Sequence, residues 1–455
     1  MPGRPLLTIA VLLSTAAGPA PRASKLNHLL DGSTTLSLTL EAPFQKLFAY
    51  KGEVDERAFV PGTLSYKEPA TGAYVVLRDV AVSVRGHTSR NDEECTFPKL
   101  KLKAKGVGAL RIGTHCGELP DDELTAKYGR LANEESPWRE GVTYRILDAL
   151  GVPTLRTRPA RVTYVDPGSS DTPLVRNALL IEDDEDAMAR VGGTAALALD
   201  QFGNVKSRGA IDDASRIAFG EAAIANFDWC LKFAPDDIYR CNDPKPLWNI
   251  LAFDRGGGQA VSRRPGEGPT ALLMKDFDLA GTVVGHHPWF KTVFTSAFVP
   301  SGSETDTVVV AQVQRARSLF PRAELDALRR GFMARKSAAY RAADGADVDA
   351  TGRALARAHL DAFYRAISDA EFYVPVIAHA DVQIYKDPAQ TTEACGQQET
   401  VRVGTPVKPL QQSGRMSQVI LLDAMWRWGA KHPCAAILNG PVWIATDAIT
   451  SRFPA

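Results

Sequence analysis

The residue types best suited to chemistry are concentrated between positions 225 and 281. Ala225-Asn226-Phe227-Asp228-Trp229 is followed by Trp248-Asn249-Ile250 and then by Lys275-Asp276-Phe277-Asp278-Leu279-Ala280-Gly281. Phosphoryl transfer needs one carboxylate near the acceptor hydroxyl and further oxygen ligands that hold magnesium against the phosphates. An aspartate (Asp228), an asparagine at the head of a strand (Asn249) and an aspartate leaving the next strand (Asp276) can supply that set, with Asp278 assisting at the metal. Asp276 and Asp278 lie two positions apart on one loop, which cannot flank a sugar ring from both sides, so glycoside hydrolysis is a poor match. The chain has no GxSxG elbow, no Walker loop and no HExxH helix, which removes the commonest serine-hydrolase, P-loop and zinc-protease readings.

A basic stretch lies upstream. Arg85-Gly86-His87-Thr88-Ser89-Arg90 precedes Phe97-Pro98-Lys99-Leu100-Lys101-Leu102-Lys103. Strand alternation places Lys99, Lys101 and Lys103 on one face, opposite Leu100 and Leu102. That face suits a polyanion, and it equally suits the solvated side of an edge strand, the expectation from this segment alone. Glu140 can pair with one of the lysines, or serve as a first-turn charge on its helix. Ile181-Glu182-Asp183-Asp184-Glu185-Asp186 lacks the twelve-position pattern of a calcium loop and reads as an acidic turn or as a nucleotide-site hinge led by Glu182. His286-His287 reads as loop, and His115 as a structural hydrogen-bonding residue beside Cys116.

The elements that must position these residues follow from periodicity. Residues 25 to 110 read as mostly β, with alternating Leu36, Leu38 and Leu40 and with Val80, Val82 and Val84. A helix is predicted from Glu134 to Leu150, closed by Gly151 and Pro153. Strands follow at Arg161 to Val165 and Leu174 to Ile181, then a helix from Ala210 to Trp229 leading into a polar loop, and two short strands or a hairpin from Leu247 to Phe253 and Ala271 to Asp276. After Pro321 the pattern turns helical, its arginines forming a solvated outer face. From about Asp381 short β runs return.

Length and charge set the frame. A chain of 455 residues exceeds the roughly 250–300 at which single cores stop growing, so a main domain and a smaller one are expected. Lys+Arg and Asp+Glu balance at 53 each, which argues against nucleic acid or anionic lipid as principal partner. Arg4, the apolar run Leu6 to Leu13 and the small residues Ala16, Ala17, Gly18 and Ala20 read as a signal peptide over residues 1–20. No later apolar run approaches the ~18 residues of a membrane span. The expected location is therefore periplasmic or extracellular. In that compartment six cysteines in three local pairs favour disulfides, Cys95–Cys116, Cys230–Cys241 and Cys395–Cys434 being the expected connectivity.

Taken in order, these segments resemble the spore-coat-protein-H-like (CotH-like) family of atypical secretory kinases, and more closely an uncharacterised bacterial branch of that superfamily. The resemblance spans about residues 80 to 315. It is carried by the RGH-TSR start, Cys95 with the Phe-Pro-Lys strand, Thr114-His115-Cys116, Ala160 to Asp166, the Ile181-Glu182-Asp183-Asp184 turn and the Asp228/Asn249/Asp276 set. It implies an α+β fold: an atypical protein-kinase-like two-lobed domain over residues 85–372, with a β-rich N-lobe, a helical C-lobe and a β-rich segment 25–84 packed on the N-lobe. It implies ATP with Mg2+ or Mn2+, and a protein or cell-envelope acceptor. Asp228 would be the catalytic-loop aspartate, Asn249, Asp276 and Asp278 the metal ligands, Lys101 and Glu140 the phosphate-orienting pair, with Lys99 and Glu182 at the nucleotide.

The departures are the missing Gly-rich loop and HRD triplet, Asp278 where protein kinases carry glycine, and a long interval between Asp228 and Asn249. They leave a second expectation, a catalytically silent envelope scaffold. Residues 378–455 resemble a bacterial Src-homology-3-like domain through Gly404-Thr405-Pro406-Val407, Trp443-Ile444 and Asp447-Ala448-Ile449, which implies a small all-β barrel-like unit with a cell-wall or peptide ligand.

Overall fold

The computed structural model describes residues 26–49, 58–86, 88–90, 95–116, 134–197, 208–231, 247–255, 269–285, 304–319, 322–345, 347–368, 375–378, 382–390, 400–401, 407–421 and 440–450. The expected leader, His286-His287, the Gly404-Thr405-Pro406 motif and Cys241, Cys395 and Cys434 lie outside them.

The alternation in the first third of the chain closes a barrel. Strands β1 (Leu36–Glu41), β2 (Phe59–Lys67), β3 (Tyr74–Val84), β4 (Leu100–Ala104), β5 (Gly108–Gly113), β6 (Thr157–Val165) and β7 (Leu174–Ile181) are ordered β1-β2-β3-β4-β5-β7-β6. A parallel pairing of β1 with β6 completes the ring, and the other pairings are antiparallel. Leu38, Leu40, Val80, Val82, Leu100, Leu102, Leu110, Ile112, Val162 and Leu180 fill the interior. Full burial of each such side chain contributes about 1.5–3 kcal/mol. Two sequence expectations change here. Residues 25–84 supply three of the seven staves, so the division at Arg85 falls inside the barrel. The lysine strand β4 is no edge: it lies between β3 and β5.

A short helix α1 (Phe44–Ala49) follows β1, and helix α2 (Ser136–Leu150) joins β5 to β6. Gly151, at φ 75°, closes α2 in the left-handed conformation that glycine adopts without strain. Gly141 lets α2 lie close on the barrel wall, since a Cβ there would stand 2.9 Å from Leu179 Cδ1. That approach brings the preceding residue, Glu140, to the end of β5. Helix α3 (Asp184–Arg190) follows β7, and the short strand β8 (Ala195–Ala196) leads on to helix α4 (Arg208–Ile224).

Strands β9 (Cys230–Leu231) and β10 (Leu247–Trp248) pair with each other. Strand β11 (Ile250–Asp254) pairs with both β8 and β12 (Thr270–Met274). Helix α5 (Gly281–Val284) and then α6 (Glu304–Leu319), α7 (Arg322–Ala334), α8 (Lys336–Ala343) and α9 (Ala350–Ser368) complete a helical half. Its core includes Ile217, Phe219, Phe277, Leu325, Phe332 and Phe363.

The tail is β, as its pattern predicts. Val376–Ile377 pairs with Ile449–Thr450, Val382–Gln383 with Thr400–Val401, and Val407–Ser413, Met416–Leu421 and Val442–Ala445 form an antiparallel meander. Its buried Val419, Val442 and Ile444 belong to the same apolar cluster as the helical half. The whole is a mixed α+β protein containing a closed seven-stranded barrel. No helix among the described residues is long and apolar enough to cross a membrane.

Candidate functional site

Three chain segments meet where the barrel faces the helical half. The first is the lead into β4. Lys99 precedes that strand and is buried, 6% exposed; its ammonium lies 2.5 Å from Asp276 Oδ1 and 2.9 Å from Asp278 Oδ2. A buried ammonium requires such counter-charge. Although burial opposes its charge, the two carboxylates hold the Lys99 ammonium above the ordinary lysine range.

The second segment is Asp276-Phe277-Asp278, whose backbone is gripped by α2. The Asp276 amide donates to Tyr144 Oη at 3.1 Å, and the Phe277 amide donates to Glu140 Oε1 at 3.2 Å. Glu140 and Tyr144 are four residues apart, so both lie on one face of α2. Phe277 anchors the turn in the core, fully buried, with its ring centroid 4.6 Å from that of Tyr144. Asp276 itself has φ 65°, a left-handed conformation that aspartate tolerates better than bulkier residues. Against the cost of burial, Lys99 and then Arg85 hold the Asp276 carboxyl well below the usual carboxylate range.

The third segment joins Asp228 to Asn249. Between them β9 and β10 pair Cys230 with Trp248 and Leu231 with Leu247, which cancels the long sequence interval. Asn249 Nδ2 donates to the Asp228 carbonyl at 2.7 Å and to its Oδ2 at 3.0 Å. Trp248 Nε1 donates to Asp228 Oδ1 at 2.7 Å. On the other side, the Asp228 amide donates to Asn226 Oδ1 at 3.1 Å, and Gln312 Nε2 from α6 donates to the Asn226 carbonyl at 2.6 Å. Burial pushes the Asp228 carboxyl up to about 6, against the pull of the Trp248 hydrogen bond. Asn249, at φ 54°, is a second left-handed residue of a type that tolerates that region.

These groups line one polar cavity of about 280 Å3. Arg85, Ser89, Lys101, Arg111, Asp184 and Lys275 form its other wall. Of the sequence candidates, Asp228, Asn249, Asp276, Asp278, Lys99 and Lys101 line it together. Lys101 does not take the place expected of it beside Glu140: its ammonium lies 3.1 Å from Asp183 Oδ1. The register gives the reason. Leu100 faces Ile112 and Lys101 faces Arg111, so Lys99, one step back, comes opposite Gly113, and a Cβ on Gly113 would stand 3.5 Å from Glu140 Oε2. Lys99 is thus the lysine at the level of α2. Glu140 is buried, and burial followed by the nearby Asp278 pushes its carboxyl up to about 8, with Lys99 pulling the other way.

Glu182 does not line the cavity either. It is fully buried, its oxygens accept from Arg190 Nε and Nη2 at 2.8 to 3.1 Å, and its Oε2 also accepts from the Arg156 amide at 3.0 Å. Its own amide donates to the Arg156 carbonyl. Asp183 takes Lys101 and Arg111, and Asp184 takes Arg111 at 2.5 Å. The acidic turn is a structural ion network rather than a nucleotide hinge led by Glu182.

Sequence reasoning did not single out Arg85, Tyr144, Trp248, Asn226 or Gln312 as site residues. The Trp248-Asn249 adjacency and the i, i+4 step from Glu140 to Tyr144 were available signals. Cys95 and Cys116 form a disulfide that ties the lead of β4 to the exit of β5. Cys230 is disulfide-bonded too.

Among the described residues no group of three or more His, Cys, Asp and Glu side chains is arranged to hold a metal ion. Compared with known proteins, the sequence matches no family model, and no curated protein is similar enough to count as a relative.

Proposed function

We propose that the chain is an exported, atypical kinase-like phosphotransferase that uses ATP with Mg2+ or Mn2+ and acts on a protein or cell-envelope acceptor. One observation carries the reading. A single cavity gathers an ammonium bridged to two aspartates, a third aspartate of raised pKa and an asparagine, all held by backbone and side-chain hydrogen bonds from different elements. In this reading the barrel and the helical half correspond to the two lobes of a kinase-like domain. The C-terminal β unit corresponds to a Src-homology-3-like domain with a cell-wall or peptide ligand.

The donor chemistry fits a hard divalent cation. Asp276, Asp278 and Asn249 offer carboxylate and amide oxygens, the ligand type magnesium prefers. The strong stabilisation of ionised Asp276 keeps one of them charged at any physiological pH. Held there, the ion would neutralise charge on the phosphates. The remaining work falls to the protein. Lys99 orients the phosphate tail. Glu140 and Tyr144 fix the Asp276-Phe277 backbone. Trp248 and Asn249 aim the Asp228 carboxylate at the acceptor hydroxyl. As that oxygen bonds to the γ-phosphorus and the bond from phosphorus to the bridging β–γ oxygen breaks, Asp228 receives the hydroxyl proton and ADP departs.

Titration of the purified chain with ATP by calorimetry tests this directly. Binding is expected only with a divalent metal, and Asp276→Ala is expected to abolish it. Absence of nucleotide binding with every metal tried would overturn the reading. A silent envelope scaffold is the second reading, favoured by the Lys99 bridge, in which one ammonium already occupies the space between Asp276 and Asp278. It is supported if the full chain is retained on isolated cell wall and binds no nucleotide.

A further inference from the structure

Of the five cations that line the cavity, four are paired. Lys99 takes Asp276 and Asp278, Lys101 takes Asp183, Arg111 takes Asp183 and Asp184, and Lys275 lies 3.7 Å from Asp184. Arg85 is the exception. Its backbone amide donates to the Lys99 carbonyl and its carbonyl accepts from Ser89 Oγ, which fixes the residue at the end of β3. Among the described residues its guanidinium has no hydrogen bond or ion pair, and its Nε is buried without a partner. The Asp184 Oδ1 across the same wall is likewise buried and unpartnered.

A guanidinium carries five donors in a rigid fork that matches phosphate oxygens two at a time. Arg85 as a whole is half-buried, and leaving its enclosed Nε–H unsatisfied is costly. Lys275 lines the same cavity, its ammonium 3.7 Å from Asp184 Oδ2. Gly86 adjoins Arg85 at φ 96°, and a Cβ there would meet Ser89 Oγ at 2.2 Å, so the turn that presents Arg85 tolerates no side chain at that position.

We infer that Arg85, with Lys275 beside it, is the anion-binding corner of the cavity and takes the terminal phosphates of a polyphosphate ligand in a bidentate contact that does not depend on a metal. This deepens the phosphotransferase reading and rests on it only for the identity of the ligand as a nucleotide. A free pyrophosphate has the same end chemistry, and adenosine lacks it.

The test is calorimetry on the full chain with inorganic pyrophosphate in EDTA, with adenosine, and with ATP plus Mg2+. Wild type is expected to bind pyrophosphate and not adenosine. Arg85→Gln is expected to weaken pyrophosphate at least about tenfold, the scale of a charge-assisted contact, while Arg85→Lys keeps part of the affinity. Circular dichroism of each variant checks that it is folded. If pyrophosphate fails to bind while ATP binds with Mg2+, or if Arg85→Gln binds as wild type, the anion corner is refuted and the phosphotransferase reading stands. If pyrophosphate binds through Arg85 but ATP with metal does not, the corner stands and the phosphotransferase reading falls. Tighter adenosine than pyrophosphate binding would also refute the corner.

Discussion

Two acidic clusters face the same basic strands β4 and β5, and they are built to opposite ends. At the Glu182-Asp183-Asp184 turn each carboxylate meets a protein donor, though Asp184 Oδ1 is left without a partner: Glu182 is closed by Arg190 and the Arg156 amide, Asp183 by Lys101 and Arg111, and Asp184 by Arg111. Around Lys99 the count is reversed. One ammonium meets Asp276 and Asp278, with Asp228 and Glu140 close enough to be shifted by the same charges. Saturated charges are structural, because nothing is left for a ligand to satisfy. A cluster with more acids than bases, held rigid by hydrogen bonds to its backbone, is stable only with protons or added cations. The raised values of Glu140 and Asp228 are the protonic half of that statement.

The largest effect that separates the clusters is on turnover. Asp228→Asn keeps an acceptor for Trp248 Nε1 and removes the proton-accepting carboxylate. Phosphate transfer to the acceptor is expected to fall at least about a hundredfold, the scale of lost general-base catalysis, with metal-dependent ATP affinity nearly unchanged. Single-turnover transfer of labelled phosphate, set beside calorimetry, separates the two. Unchanged transfer would remove Asp228 from the machinery and erase the distinction drawn here.

The next effect belongs to the saturated cluster. Glu182→Ala leaves Arg190 without its carboxylate and is expected to cost about 3 kcal/mol, the low end for a broken buried pair because Arg190 is partly exposed. Urea unfolding measures it. Pyrophosphate affinity should be unaffected in the folded variant. A loss of ligand affinity larger than the loss of stability would return Glu182 to the binding site.

The same contrast explains what was legible beforehand. The alternation of Leu36-Leu38-Leu40 and the apolar run ending at Ile181 marked strands correctly, because side-chain burial is written locally. Closure of the barrel through the parallel pairing of β1 with β6 was not, since it joins residues more than a hundred positions apart. Asp228, Asn249 and Asp276 stood out because polar residues at the mouths of apolar runs have few packing explanations. Lys101 was chosen over Lys99 as the partner of Glu140 because alternation gives a face and not a height along the strand. The height is set by the register with β5 and by the seating of α2 at Gly141. Glu182 looked available because its partners reach it only in the fold, Arg190 once α3 turns back and the Arg156 amide through the pairing of β6 with β7. Arg85 was passed over because an arginine is conspicuous only when the structure leaves it unpaired.

A pH-dependent effect tests the protonic half of the comparison. With its carboxyl pushed up to about 8 by burial and by Asp278, folded Glu140 stays protonated where an unfolded glutamate, near 4.3, has already ionised. Between those values the native state binds more protons than the unfolded state, so this residue makes stability fall as pH rises. Below the unfolded value both states are protonated, and above about 8 both are ionised, so its contribution is flat at either end. Glu140→Gln keeps an oxygen to accept from the Phe277 amide and cannot ionise. The stability of the variant minus that of the wild type should therefore grow with pH across this window, by about 1 kcal/mol per unit and no more than the roughly 1.4 kcal/mol that one proton allows, and level off above about 8. Urea unfolding at a series of pH values gives the difference directly. A flat difference from pH 5 to 8 would mean that Lys99 keeps Glu140 ionised, as in an ordinary buried ion pair, and the cluster around Lys99 would then be saturated like the one around Glu182.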